Sequence, residues 1–127
     1  MFQPKTAYCG FSVSDLAKAK AFYAQTLGLQ VVEEGVGLRI HLPGGGTAFA
    51  YPKDDHLPAT FTLLDFVVDN IDEAVDELKS RGVSFERYEG APQDEKGILR
   101  GRSQQIGPDI AWFKDPAGNI LSVLQDS

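Results

Sequence analysis

Few side chains in this chain could do chemistry. There are two histidines, His41 and His56, one cysteine, Cys9, and 18 carboxylates. No nucleophile and base stand at a legible spacing, so no serine or cysteine hydrolase can be read. Tyr8, His41, Asp65 and Glu95 are the groups that could act as acid or base. Cys9 reads as a small buried hydrophobe. Asp65 is the most informative, because it falls inside an apolar strand pattern, Leu63 to Val68. A carboxylate on a half-buried strand is unfavourable unless it is paired. Arg39 could pair with it, or a cationic ligand could.

The elements that must position these groups come as a repeat. Phe11 and Val13 alternate with Gly10 and Ser12, the period of a strand. Ser14 suits an N-cap, and Asp15 suits the positive end of the helix after it. Leu16, Ala19, Phe22, Tyr23 and Leu27 then make one apolar stripe, and Gly28 ends the helix. Leu64, Phe66 and Val68 repeat the strand. Asn70 and Glu73 form a capping box, Ile71, Ala74, Val75 and Leu78 form a stripe, and Gly82 ends it. An offset of about 55 residues superposes the halves. The spacing predicts helices over 15–26 and 71–81.

Three strand-like runs follow each helix. The first half has Leu29 to Glu34, Gly37 to Leu42 and Thr47 to Tyr51, punctuated by Gly35 and Gly44-Gly45-Gly46. The second has Val83 to Tyr88, Ile110 to Phe113 and Ile120 to Leu124, with a tight turn at Asp115-Pro116-Ala117-Gly118-Asn119. The expected fold is α+β: two βαβββ modules over about 5–55 and about 60–126 of a single 127-residue domain. Residues 89–108 break the symmetry and read as a solvated flap, with Glu95 and Lys96 in a charge cluster.

Composition narrows the functions. The chain is 43% hydrophobic and 24% charged, as globular domains are, and its formal net charge is -6. That balance argues against nucleic acid and against anionic membrane surfaces. No apolar run approaches the roughly 20 residues that span a bilayer, and Met1 to Thr6 lack a secretion-signal pattern, so the expected location is cytoplasmic.

The order of motifs resembles the vicinal oxygen chelate superfamily, which includes glyoxalases, bleomycin-resistance proteins and extradiol dioxygenases. The residues that carry the resemblance are Phe11-Ser12-Val13-Ser14-Asp15-Leu16, Ala21-Phe22-Tyr23 and Leu27-Gly28-Leu29 in the first half. The second half adds Val68 to Val75, Arg81-Gly82-Val83 and Trp112 to Ile120. The resemblance implies two curved sheets forming an incomplete barrel, with helices outside and a trough for a small ligand. It also implies four metal-ligand positions, on the first and last strand of each half. Carried over, these fall on Tyr8, Ala50, Leu63 and Ser122, none a usual ligand for a divalent ion. No metal or other cofactor is therefore expected.

Strand alternation then assigns the trough face. With Phe11, Val13, Phe49, Tyr51, Leu64, Phe66, Leu121 and Val123 under the helices, the trough would receive Tyr8, Arg39, His41, Ala50, Leu63, Asp65 and Ser122. Trp112 reads as core, with a stacking platform as the alternative. The expected function is a metal-independent, small-molecule-binding protein, a homodimer through apolar residues such as Leu63, Val67 and Leu124. The alternatives are a lyase- or dioxygenase-type enzyme using non-standard residues and a module whose trough another chain fills.

Overall fold

The computed structural model describes all 127 residues. It divides into two compact units, Met1–Leu57 and Pro58–Ser127. The first contains β1 (Cys9–Val13), α1 (Leu16–Ala21) with a π-helical turn over Phe22–Thr26, β2 (Gln30–Glu34), β3 (Gly37–His41) and β4 (Thr47–Pro52). The second contains β5 (Thr62–Val67), α2 (Ile71–Ser80), β6 (Leu99–Arg100), β7 (Asp109–Lys114) and β8 (Ile120–Gln125). Each unit is one βαβββ module with one four-stranded sheet, in the orders β1-β4-β3-β2 and β5-β8-β7-β6. The first strand of each module pairs parallel with its last, and the other pairs are antiparallel. The fold is thus the expected α+β repeat. No helix is long and apolar enough to cross a membrane.

In the first module the helix begins one residue later than the Ser14 cap predicts. Asp15 is the N-cap, its carboxylate accepting from the Lys18 N–H at 3.0 Å. Tyr23 is fully buried, and its ring centroid lies 5.9 Å from that of Phe11. Phe11 therefore fixes which face of the sheet meets the helix. Residues paired across a sheet share a face. Phe11 pairs with Ala50, and Ala50 with Leu38, so these three stand under the helix with Ala48 and Ile40. The alternation on β4 is the reverse of the expected one. Phe49 and Tyr51 point away from the helix, whereas Ala48 and Ala50 are fully buried beneath it. Two small residues under the helix leave room for Leu38 and Ile40, which are also fully buried. Cys9, expected to be buried, is exposed at the start of β1.

In the second module Asn70 caps α2 as expected, accepting from the Glu73 N–H at 3.1 Å. Ile71 and Val75 bury the helix against Ala111, Phe113, Leu121 and Val123. Burying a side chain such as Leu121 is worth roughly 1.5–3 kcal/mol. The run Val83 to Tyr88 is not a strand. It makes one isolated bridge, Phe85 to Phe113, and the Glu86 N–H donates to the Trp112 carbonyl at 2.8 Å. A side chain claims the next ladder partners: the Gln93 amide accepts from the Tyr88 N–H at 2.8 Å and donates to the Glu86 carbonyl at 2.9 Å. The outer edge strand is instead β6, supplied by the segment read as a flap.

That segment is ordered by charge. Arg100 donates two hydrogen bonds to the Asp72 carboxylate, at 3.0 and 2.8 Å, and one to Asp94 at 3.0 Å. Lys96 bridges Asp72 and Asp76 of α2, each at 3.2 Å. Ile98 is fully buried. The cluster containing Lys96 therefore lies against the helix side of its module.

Candidate functional site

The face of the first sheet turned away from α1 gathers one cation and three aromatic rings. The Arg39 guanidinium carbon lies 4.1 Å from the centroid of the Tyr8 ring and 5.0 Å from that of Phe49. Arg39 pairs with Phe49 across the β3–β4 ladder, which puts them on one face. The Phe49 and Tyr51 rings are nearly parallel, 21° apart, with centroids at 6.5 Å. Arg39 is not free to recruit an anion. Its Nη2 and Nε donate to the two Glu34 carboxylate oxygens at 2.9 and 3.2 Å. These bonds, with a further one to Tyr8, raise its already high pKa. The same Arg39 bond holds Glu34 below the usual carboxylate range.

A glycine on each neighbouring strand flanks these rings, and one of them, Gly37, is needed for the Phe49 ring to lie where it does. A Cβ on Gly37 would collide with the Ala50 carbonyl oxygen and stand 2.7 Å from Phe49 Cζ. The Phe49 ring thus occupies space that any other residue at Gly37 would fill. On the other side of β4, a Cβ on Gly10 would stand 3.9 Å from Tyr51 Cε1. Next to Tyr51, Ser12 lies on the same face by pairing. Its hydroxyl is 2.7 Å from His56 Nδ1, a nucleophile–base contact 44 residues apart in sequence.

The second sheet has its own face turned away from α2. Ser122 pairs with Asp65 on one side and Trp112 on the other, so the three share that face. The fully buried Ser122 hydroxyl donates to the Asp65 carboxylate. Trp112 Nε1 donates to Thr62 Oγ1 at 3.1 Å. The Tyr88 ring meets Trp112 edge-on at 5.5 Å. The Tyr88 hydroxyl is buried without a hydrogen-bond partner, and burial pushes its pKa up.

Sequence reasoning therefore places Tyr8, Arg39, Asp65 and Ser122 on the non-helix faces, as the structure does. Trp112 joins them rather than the core beneath α2. His41 pairs with Gln30 and Thr47 at a strand end and is exposed. Leu63 sits at a β-bulge between Thr62 and Leu64, without a ladder partner. Ala50 is corrected to the helix face. Of the two partners considered for Asp65, Arg39 and a ligand cation, Arg39 instead pairs with Glu34, and Asp65 accepts from Ser122. Phe49, Tyr51 and the Ser12–His56 contact were missed. Gly10 and Asp65 are equivalent in the two halves, and their parallel partners are Phe49 and Ser122.

The chain matches the family model of the glyoxalase/bleomycin resistance protein/dioxygenase superfamily over residues 5–123. It belongs to that superfamily. Similar solved structures include TnmS3, an antibiotic binding protein from Streptomyces sp. CB03234, with a TM-score of 0.70 and 24% identity over 100% of this chain and 99% of that one. A superfamily member from Sphaerobacter thermophilus DSM 20745 gives a TM-score of 0.69 and 24% identity over 98% of each chain. A glyoxalase family protein from Enterococcus faecalis gives 0.68 and 22% over 98% of this chain and 99% of that one. At these identities the likeness is one of fold. No curated protein matches the chain.

The superfamily implies a divalent metal between two first-strand and two last-strand residues, and these residues do not fit one. With Ala50 replaced by Phe49, the mate of Ser122, the four positions hold Tyr8, Phe49, Leu63 and Ser122. Phe49 and Leu63 have no donor atom. The Ser122 hydroxyl is engaged by Asp65 and the Tyr8 ring by Arg39. A neutral hydroxyl and a phenol are poor ligands beside the usual histidines and carboxylates. No three His, Cys, Asp or Glu side chains come close enough together to hold an ion.

Proposed function

We propose that this superfamily member is a small-molecule-binding protein whose ligand rests on the sheet face bearing Tyr8, Arg39, Phe49 and Tyr51, without a metal ion. One observation carries the reading. The places the superfamily uses for ligating side chains hold Tyr8, Phe49, Leu63 and Ser122, so two of four carry only carbon and a third, Tyr8, lies against the Arg39 guanidinium. A face of rings with a few fixed polar groups suits a small ligand. The similarity to an antibiotic binding protein shows that this fold serves binding in at least one other protein.

The test has two arms. The protein is dialysed, supplied separately with zinc, nickel, manganese and iron, and its metal content measured. No ion is expected at one equivalent. A full equivalent lost on Tyr8→Phe or Ser122→Ala overturns the metal-free reading. In the second arm, thermal shift against a mixed set of drug-sized compounds is followed by backbone NMR mapping. Shifts are expected at Gly10, Phe49 and Tyr51. The reading includes a homodimer through exposed apolar residues such as Val67, 63% exposed on β5. Sedimentation at monomer mass across micromolar concentrations overturns that part.

A second reading, an enzyme, is favoured by the Ser12–His56 contact at 2.7 Å, which is the geometry of a hydroxyl beside its base. It predicts covalent labelling of Ser12 by acylating or phosphonylating reagents.

A further inference from the structure

We infer that the ligand of the first sheet is a planar, conjugated ring system, neutral or cationic rather than anionic. This rests on the binding reading above and adds the class of ligand.

The ring argument starts from the two glycines. β4 lies between β1 and β3, and on its non-helix face it carries Phe49 and Tyr51. A side chain on either neighbouring strand would normally stand up beside those rings. At Gly37 and Gly10 none does, and the Phe49 ring fills the space above Gly37. The rings are 21° from parallel. Both are partly buried, whereas Tyr8, which covers Arg39, is 58% exposed. Two near-parallel rings suit a flat partner, because stacked or offset rings gain attraction that a globular aliphatic of equal area does not.

The charge argument concerns Arg39. It is the cation on this face, and Glu34 neutralises it through two hydrogen bonds. Its side chain is also largely covered, with only 16% exposed. An anionic ligand would meet no uncompensated positive charge there and would approach a chain of net charge -6. A neutral or cationic ring meets no such opposition, and aromatic π faces attract cations.

The experiment measures binding of four probes by calorimetry and NMR: acridone (planar, neutral), proflavine (planar, cationic), anthracene-9-carboxylate (planar, anionic) and adamantan-1-amine (globular, cationic). Acridone and proflavine are expected to bind about tenfold more tightly than the other two, with shifts at Gly10, Phe49 and Tyr51. Phe49→Leu keeps apolar bulk and removes the ring, and is expected to weaken the planar probes by about three- to tenfold. Tyr51→Leu is the second variant, should Phe49→Leu fail to fold. Equal binding of adamantan-1-amine and proflavine, tighter binding of the anion, or unchanged affinity in a folded leucine variant overturns the ligand class and leaves small-molecule binding standing. Failure of all four probes, while other compounds from the mixed set bind at Phe49, overturns the class alone. Failure of every compound to perturb that face overturns the underlying reading as well.

Discussion

The ring of Phe49 stands where a side chain of Gly37 would be, with Phe49 Cζ 2.7 Å from the position of a Gly37 Cβ. The backbone of Ala50 closes the same space from below. Neither neighbour can give way easily, since one is backbone and the other a partly buried ring. Gly37→Ala is therefore expected to destabilise the protein by about 1–3 kcal/mol, the usual range for overpacking. Gly10→Ala is the matched control. Its Cβ would meet its nearest atom, the Phe49 carbonyl oxygen, at 3.7 Å, an ordinary contact. It should change stability by less than about 0.5 kcal/mol. Urea unfolding of the two variants checks this, and equal midpoints would mean that Gly37 is not held by the ring.

The turn between β7 and β8 rests on one buried carboxylate. Asp115, 4% exposed, accepts from the Ala117 N–H at 2.9 Å, the Asn119 N–H at 3.0 Å and the Asn119 side-chain amide at 3.1 Å. Asn119 in turn accepts from the Ala59 N–H at 3.1 Å, tying the start of the module to its last hairpin. Asp115→Ala leaves several donors without partners and is expected to cost about 2–4 kcal/mol. Asp115→Asn, which keeps an acceptor, should cost clearly less. Thermal unfolding of both variants distinguishes them, and an alanine variant as stable as the asparagine one would contradict the account.

The repeat was legible because capping and periodicity are local. Asn70, the stripe through Ile71 and Val75 and the Pro116–Gly118 turn are each set by neighbours within a few residues. The face of β4 was not legible. The run Ala48-Phe49-Ala50-Tyr51 alternates cleanly, and period-two alternation gives two faces without saying which is inside. Large rings are usually core, and here they are not, because Leu38 and Ile40 from the neighbouring strand already fill the space under α1. The ladder between β1 and β4 decides the matter, and it is a long-range fact. The same holds for β6. Leu99 and Arg100 carry no strand signal of their own, and their place at the edge follows from Gln93 occupying the backbone of the Val83–Tyr88 run. Ser12 and His56 meet only because the chain returns past β1 after β4, with the Lys53 N–H donating to the Val13 carbonyl at 3.1 Å.

Acid should loosen the segment that carries β6. The Arg100 hydrogen bonds, followed by those of Lys96, hold the Asp72 carboxyl at about 2, below its ordinary 3.8. A lowered folded-state pKa means stabilisation that is complete above the unfolded value and lost as pH falls from about 4 through about 2. Asp72 is 44% exposed, so screening keeps the contribution below about 1 kcal/mol. Asp72→Asn should lower stability slightly at pH 7 and flatten the decline between pH 4 and pH 2. Urea midpoints across that range provide the check. A variant that declines as steeply as the wild type would show that Asp72 is not the group responsible.

The Ser12–His56 contact separates the two functional readings. On the binding reading it is a latch. It fastens the chain after β4 to β1, one hydrogen bond beside the Lys53–Val13 backbone bond. Losing such a bond costs about 0.5–1.5 kcal/mol, so Ser12→Ala should fall in that range. On the enzyme reading, the Ser12 oxygen would attack an acyl carbon or a phosphorus centre while its proton passes to His56 Nδ1, and the leaving group would depart from that centre. Nearness alone is not sufficient for this step. A developing oxyanion needs fixed donors within hydrogen-bond reach, and the guanidinium on this face is already bound to Glu34. Incubation with a fluorophosphonate probe, followed by intact-mass and peptide mapping, is expected to leave Ser12 unmodified and p-nitrophenyl acetate hydrolysis at the buffer rate. A single adduct on Ser12, absent in His56→Gln while that variant remains folded, would make Ser12 a nucleophile and move the protein to the enzyme reading.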